Sequence, residues 1–164
     1  MKLTQLFIQE FEHEMKITER FFQAITDEML DYRPHEKSMS ANALVNHLLS
    51  IPLLIAYIAD KEELDWATAS FPEKSKTVMA MRAAFTTNIA EAKTALKRLK
   101  EEELEIPWAM RNGETVFFTV PKRIALRNLV LNHLIHHRAQ LGVYLRLNDI
   151  PVPASYGGSA DQPF

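Results

Sequence analysis

Six histidines are the side chains of this 164-residue sequence best suited to chemistry: His13, His35, His47, His133, His136 and His137. Imidazole serves near neutral pH as a metal ligand, a general base or a proton shuttle. His133 and His137 stand four positions apart, a spacing that puts two side chains on one helix face, where they can hold one ion. At about 100° per residue from Ile124, the apolar stripe carried by Leu126, Val130, Leu141 and Tyr144 is centred at about 220°. His137 falls on that centre and His133 about 40° from it, so both point inward. His136 falls on the border, and by spacing alone a His133/His136 pair is an alternative. On another helical segment, His47 occupies the middle of the face made by Ala43, Ile51, Leu54 and Ile58.

Burying three imidazoles costs on the order of several kcal/mol unless each finds a partner. One divalent ion satisfies all three at once, and neutral imidazole suits Zn²⁺, Ni²⁺, Cu²⁺ or Fe²⁺. Three protein ligands leave a position open for water or substrate, the pattern of catalytic sites. The plainer alternative for a single inward histidine such as His47 is a hydrogen-bonded core residue.

The elements that must position these rings are helices. Four glycines in 164 residues leave few breaks. Apolar residues recur at helical spacing over about residues 2–30, 40–60, 75–103 and 121–148. Pro34 stops the first segment, Ser40 is the expected N-cap of the second, and Pro121 suits the first turn of the fourth. Pro52 is expected to kink the second and free the Leu48 carbonyl. Residues 61–74 form a polar connection long enough to cross a bundle. Within residues 105–120, Asn112-Gly113 between two apolar runs signals a hairpin. Residues 149–164 are expected to form an extended tail. The expectation is one all-α domain over residues 1–164, a four-helix bundle with a small β-hairpin between helices three and four.

Composition excludes several chemistries. With no cysteine there is no disulfide, thiolate zinc site, iron–sulfur cluster or cysteine nucleophile. Nineteen Lys and Arg against 21 Asp and Glu give a net charge of −2, without the basic footprint of a nucleic-acid binder. The apolar run from Ile51 to Ala59 is too short to cross a bilayer, and the opening MKLTQLFIQEF lacks a signal-peptide core. No membrane partner is expected, and a cytoplasmic location is.

The run Asn132-His133-Leu134-Ile135-His136-His137-Arg138-Ala139-Gln140-Leu141, followed by Tyr144-Leu145-Arg146 and Pro151-Val152-Pro153, resembles the signature of the DinB/YfiT-like metalloenzymes. That family's fourth helix carries His-x-x-x-His-Arg-Gly-Gln-Leu, and Ala139 stands here in place of the glycine. Tyr32-Arg33-Pro34 to Ser38, and then Asn46-His47, resemble its loop and second helix. The resemblance implies an up-down-down-up bundle, a homodimer, and a divalent metal held by His47, His133 and His137. It also implies a small-molecule substrate, with activities such as transfer of bacillithiol or glutathione-like thiols, or mycothiol-dependent isomerisation.

Zn²⁺ or Ni²⁺ in such a site would make water or an external low-molecular-weight thiol nucleophilic, giving thiol transfer or hydrolysis. Glu14, on the inward stripe of helix one, is a candidate general base or orienter of a ligand; the alternative is a pair with Arg or Lys. Gln140 is a candidate hydrogen-bond donor beside the site. Arg138 is expected to point outward, as an ion-pair or dimer residue. His136 lines a pocket mouth or lies on plain surface, and His13 and His35 are solvated. Trp108 and Phe117 are expected to pack the hairpin. The rival readings are a non-catalytic, metal-binding dimeric bundle and an interaction module with an accidental histidine cluster.

Overall fold

The first helix, α1 (Leu3–Ala24), buries Phe7, Phe11, Thr18 and Phe22 along the expected stripe. Its first turn carries no acidic residue of its own. Glu101 supplies the missing charge from elsewhere in the chain, accepting from the Leu3 and Thr4 amides at 2.8 and 3.0 Å. This computed structural model describes residues 2–163, so Met1 and Phe164, the outer ends of the expected domain and tail, lie outside it.

The helix ends at Ala24, six residues before the expected limit, although Ile25 and Met29 are buried as the periodicity requires. Arg82 explains the stop: its guanidinium donates to the carbonyls of Phe22, Gln23 and Ile25, closing the helix end from a neighbouring rod. Met29 is then delivered to the core by a short 3₁₀ turn, Asp27–Met29.

The second rod begins as expected, with the Ser40 hydroxyl accepting from the Ala43 amide at 3.2 Å. It runs as α2 (Ala41–Ser50), a 3₁₀ turn at Ile51–Leu53 containing Pro52, and α3 (Leu54–Asp60). Proline thus breaks the α ladder where expected. Asn88 donates to the neighbouring carbonyl of Leu49 at 2.8 Å. Ala41–Asp60 is the one stretch among the described residues long and apolar enough to cross a membrane, and 67% of its most apolar window is buried inside the fold.

The third rod, α4 (Val78–Arg98), is shorter than the expected 75–103. It is capped at its start by Thr77 and by the Asp27 carboxylate on the Val78 amide. The fourth rod contains α5 (Lys122–Ala125), a π-helical stretch at Leu126–Asn132, and α6 (His133–Leu147). α1 packs on α4 and α6, and α2 packs on the same two. The molecule is mostly helical, and its four rods enclose a common core.

The hairpin is present as β2 (Pro107–Asn112) and β3 (Thr115–Pro121), turning through Gly113 at φ +56°, where a glycine is needed. The connection at 61–74 contributes an unexpected third strand, β1 (Glu63–Asp65), parallel to β2. Trp108 is fully buried and donates from Nε1 to the Tyr57 carbonyl, tying the sheet to α3. It is a packing residue, as expected, whereas Phe117 is 54% exposed.

Candidate metal centre

His47 projects from the middle of α2, and His133 and His137 from the first two turns of α6. The ring centroids lie 4.8 Å apart for His47 and His133, 4.5 Å for His47 and His137, and 4.6 Å for His133 and His137. One ring nitrogen from each lies within 4.8 Å of the other two. The structure therefore brings together the three histidines named from sequence. His136 is exposed, stacked edge-on against His137 at 4.8 Å, and outside that group. His13 and His35 are exposed.

The π-helical stretch shapes this corner. The His133 amide donates to the Val130 carbonyl, and the Leu129 carbonyl, its partner in a regular α-helix, lies 3.3 Å from His133 Nδ1. That contact holds the ring proton on Nδ1 and leaves Nε2 free to coordinate. Gln140 does the same for His137, with its Oε1 accepting from Nδ1 at 2.7 Å. Gln140 lies beside the site as expected, but towards His137 it acts as an acceptor.

Burial pushes the His47 pKa down from 6.5 to about 4, helped by the neighbouring His137 and His133 and by the charge of Lys74. His133 and His137 are also lowered, chiefly by burial. All three are thus neutral at pH 7, the form that binds metal. His47 Nε2 and His133 Nε2 face each other at 3.0 Å. Nitrogens sharing one tetrahedral ion at 2.0–2.1 Å stand about 3.3 Å apart, close to the His47–His133 separation, and the His137 nitrogen lies within 4.8 Å of both. Three neutral imidazoles are the donor chemistry that suits a divalent ion.

Glu14 and Arg138 form a buried pair beside the cluster. Arg138 Nη1 lies 2.7 Å from Glu14 Oε2 and also donates to the Glu14 carbonyl and the Thr18 hydroxyl. Tyr156, from the tail, donates its hydroxyl to Glu14 and accepts from Arg138 Nη2. Arg138 is only 2% exposed, which corrects the outward placement. A wheel drawn on one apolar stripe cannot register a cation buried against a carboxylate on another helix.

A cavity of about 670 Å³ adjoins the cluster, with His47 and His133 in its wall. Trp66, Phe71 and Lys74, from the segment between β1 and α4, also line it and were not picked out from sequence. Two aromatic residues in an otherwise polar connection were the available signal. They stack with centroids 5.4 Å apart, and Phe71 stacks in turn on Tyr57.

A model of the DinB family matches residues 1–162. An uncharacterized protein of Bacillus subtilis (strain 168), YjoA, is 29% identical over 132 residues, covering 79% of this chain and 80% of that protein. The crystal structure of a DinB-like protein from Bacillus subtilis, YjoA, superimposes with a TM-score of 0.74 at 23% identity, covering 97% of this chain and 99% of that one. A DinB-like protein from Bacillus cereus ATCC 10987 gives 0.71 at 19% identity over 92% and 95% of the two chains. At these identities the structural likenesses speak for the fold alone.

Proposed function

The chain belongs to the DinB family, and from that premise we propose that it is a divalent-metal-binding protein acting as a metal-dependent enzyme of thiol transfer or hydrolysis. His47, His133 and His137 are the proposed ligands. Support comes from one coincidence of place: two of the three clustered imidazoles, His47 and His133, form part of the wall of a chamber large enough for a small molecule. An ion used only to tie helices together needs no such chamber.

Zn²⁺ or Ni²⁺ held there would lower the pKa of a bound water to about 7, or deprotonate a bound thiol. Gln140 keeps the His137 proton on Nδ1 and fixes the plane of the ring. The Leu129 carbonyl does the same for His133. Glu14 acts through Arg138, the residue next to His137, by holding α6 against α1. With no cysteine in the chain, any sulfur must arrive on a small-molecule thiol. We take the bundle as up-down-down-up, the working form as a homodimer in the cytoplasm, and the partner as a small molecule. A charge balance of −2 argues against nucleic acid.

Elemental analysis of the purified protein tests the metal, with one ion per chain expected. His137→Ala should abolish uptake and His35→Ala should preserve it; equal uptake by both would remove the ligand assignment. Turnover of electrophiles with a panel of thiols then separates transfer from hydrolysis. Metal-loaded protein inert in both assays would leave the ion a structural role only.

A further inference from the structure

The wall of the chamber beside the imidazoles is mostly apolar. Leu53 and Leu54 from the second rod, Met110 from the hairpin and Leu129 from the π-helical stretch make apolar wall, with Trp66 and Phe71 added by the crossing segment. Three polar side chains in the wall have their donors committed to backbone carbonyls. Asn46 donates to Ser75, Asn88 to Leu49, and Ser50 to His47, at 2.8 to 2.9 Å. Besides the imidazoles, the other polar side chains are Glu73, Lys74 and Ser75, consecutive on the crossing segment. A polyhydroxylated molecule would turn hydroxyls onto leucine and methionine, losing water without replacement. An amphiphile matches the pattern.

The sign of its polar end follows from the charges at the rim. Lys74 is exposed and forms no ion pair among the described residues. Lys74 lines the same chamber as His47 and His133, so its ammonium and a cation held by those imidazoles would share one wall. The volume, about 670 Å³, falls within the range of small-molecule sites.

We propose that this chamber takes a small molecule with an alkyl or aryl-alkyl body and a single anionic head. The body lies against Leu53, Leu54, Met110 and Leu129, and the head lies between Lys74 and the imidazole cluster. The head's contact with a metal rests on the function proposed above; the site for the body rests on the cavity alone.

Calorimetric titration with two homologous series tests this. Alkyl hydroxamates, from acetyl to octanoyl, are titrated into zinc-loaded protein, and alkanoates of the same lengths into metal-free protein. Each added methylene is expected to tighten binding about fourfold in both forms. Ala84→Phe, which fills the chamber from α4, should flatten both series. Lys74→Gln, at an exposed position, should weaken the alkanoates severalfold and leave neutral alkanols of equal length unchanged. Series that are flat in both forms overturn the proposal, even where zinc is taken up. Failure of zinc uptake alongside a steep alkanoate series overturns the metal assignment and leaves the amphiphile site standing.

Discussion

His137 and Gln140 stand three residues apart on α6, and the ring Nδ1 of the first lies 2.7 Å from the amide oxygen of the second. This short contact decides which nitrogen of His137 can coordinate. An imidazole that donates from Nδ1 presents the lone pair of Nε2, and it cannot rotate without breaking the bond.

Removing that acceptor should therefore weaken the site without removing a ligand. Gln140→Leu is expected to lower metal affinity by about 10- to 100-fold, measured by competition with a chromophoric chelator. Gln140→Glu keeps an acceptor in place and should retain most of the affinity. If both variants bind as the parent does, Gln140 has no part in orienting His137.

Acid should destabilise the metal-free protein. The His47 pKa is about 4 in the fold against 6.5 for the free side chain, and His133 and His137 are lowered as well. In the window between those two values the unfolded chain holds more protons than the folded one. Stability is thus complete above about pH 6.5 and is lost as pH falls towards 4. The melting temperature of metal-free protein should drop between pH 7.5 and pH 5, and the drop should shrink in His47→Leu. A profile equally steep in that variant would locate the acid sensitivity elsewhere.

The inward set of His47, His133 and His137 was legible because His47 lies on one regular stretch and the other two on another, where about 100° per residue holds. The Ser40 cap and the Asn112-Gly113 turn were legible because their chemistry is local. What escaped depends on distant partners. The stop of α1 at Ala24 needs Arg82, 58 positions on, and periodicity through Met29 hides it. Strand β1 exists because Glu63, Leu64 and Asp65 pair with Ala109, Met110 and Arg111. The π-helical stretch turns less per residue than an α-helix, so angles counted across it from Ile124 drift. The inward reading of His133 and His137 holds through Leu141 and Tyr144, which share α6 with them, and not through Leu126 and Val130.

The buried pair of Glu14 and Arg138 makes an asymmetric prediction. Arg138→Met leaves Glu14, 8% exposed, without its cation, and should cost about 3–5 kcal/mol in denaturant unfolding. The double variant Glu14→Leu/Arg138→Met removes both charges and should recover much of that loss. Tyr156→Phe, which removes one hydroxyl from the same network, should cost about 1 kcal/mol. Strictly additive losses in the double variant would mean that the two side chains act independently, against the 2.7 Å contact.

Asn46, next to the ligand His47, holds the crossing segment in place. Its amide donates to the Ser75 carbonyl at 2.9 Å, and its oxygen accepts from the Ser75 amide at 2.8 Å. The side chain thus pairs with Ser75 as a strand neighbour would, and it fixes the residue that follows Lys74. Asn46→Ala should cost about 1–3 kcal/mol, since it leaves both backbone groups of Ser75 without their partner. Faster amide exchange should be confined to residues 70–76, because α2 keeps its Ser40 cap and its apolar face. Metal affinity should change less than in Gln140→Leu, because none of the three imidazoles uses Asn46 as a partner. A variant that lost metal before it lost the order of residues 70–76 would show that Asn46 acts on His47 directly, and not on the segment that carries Lys74.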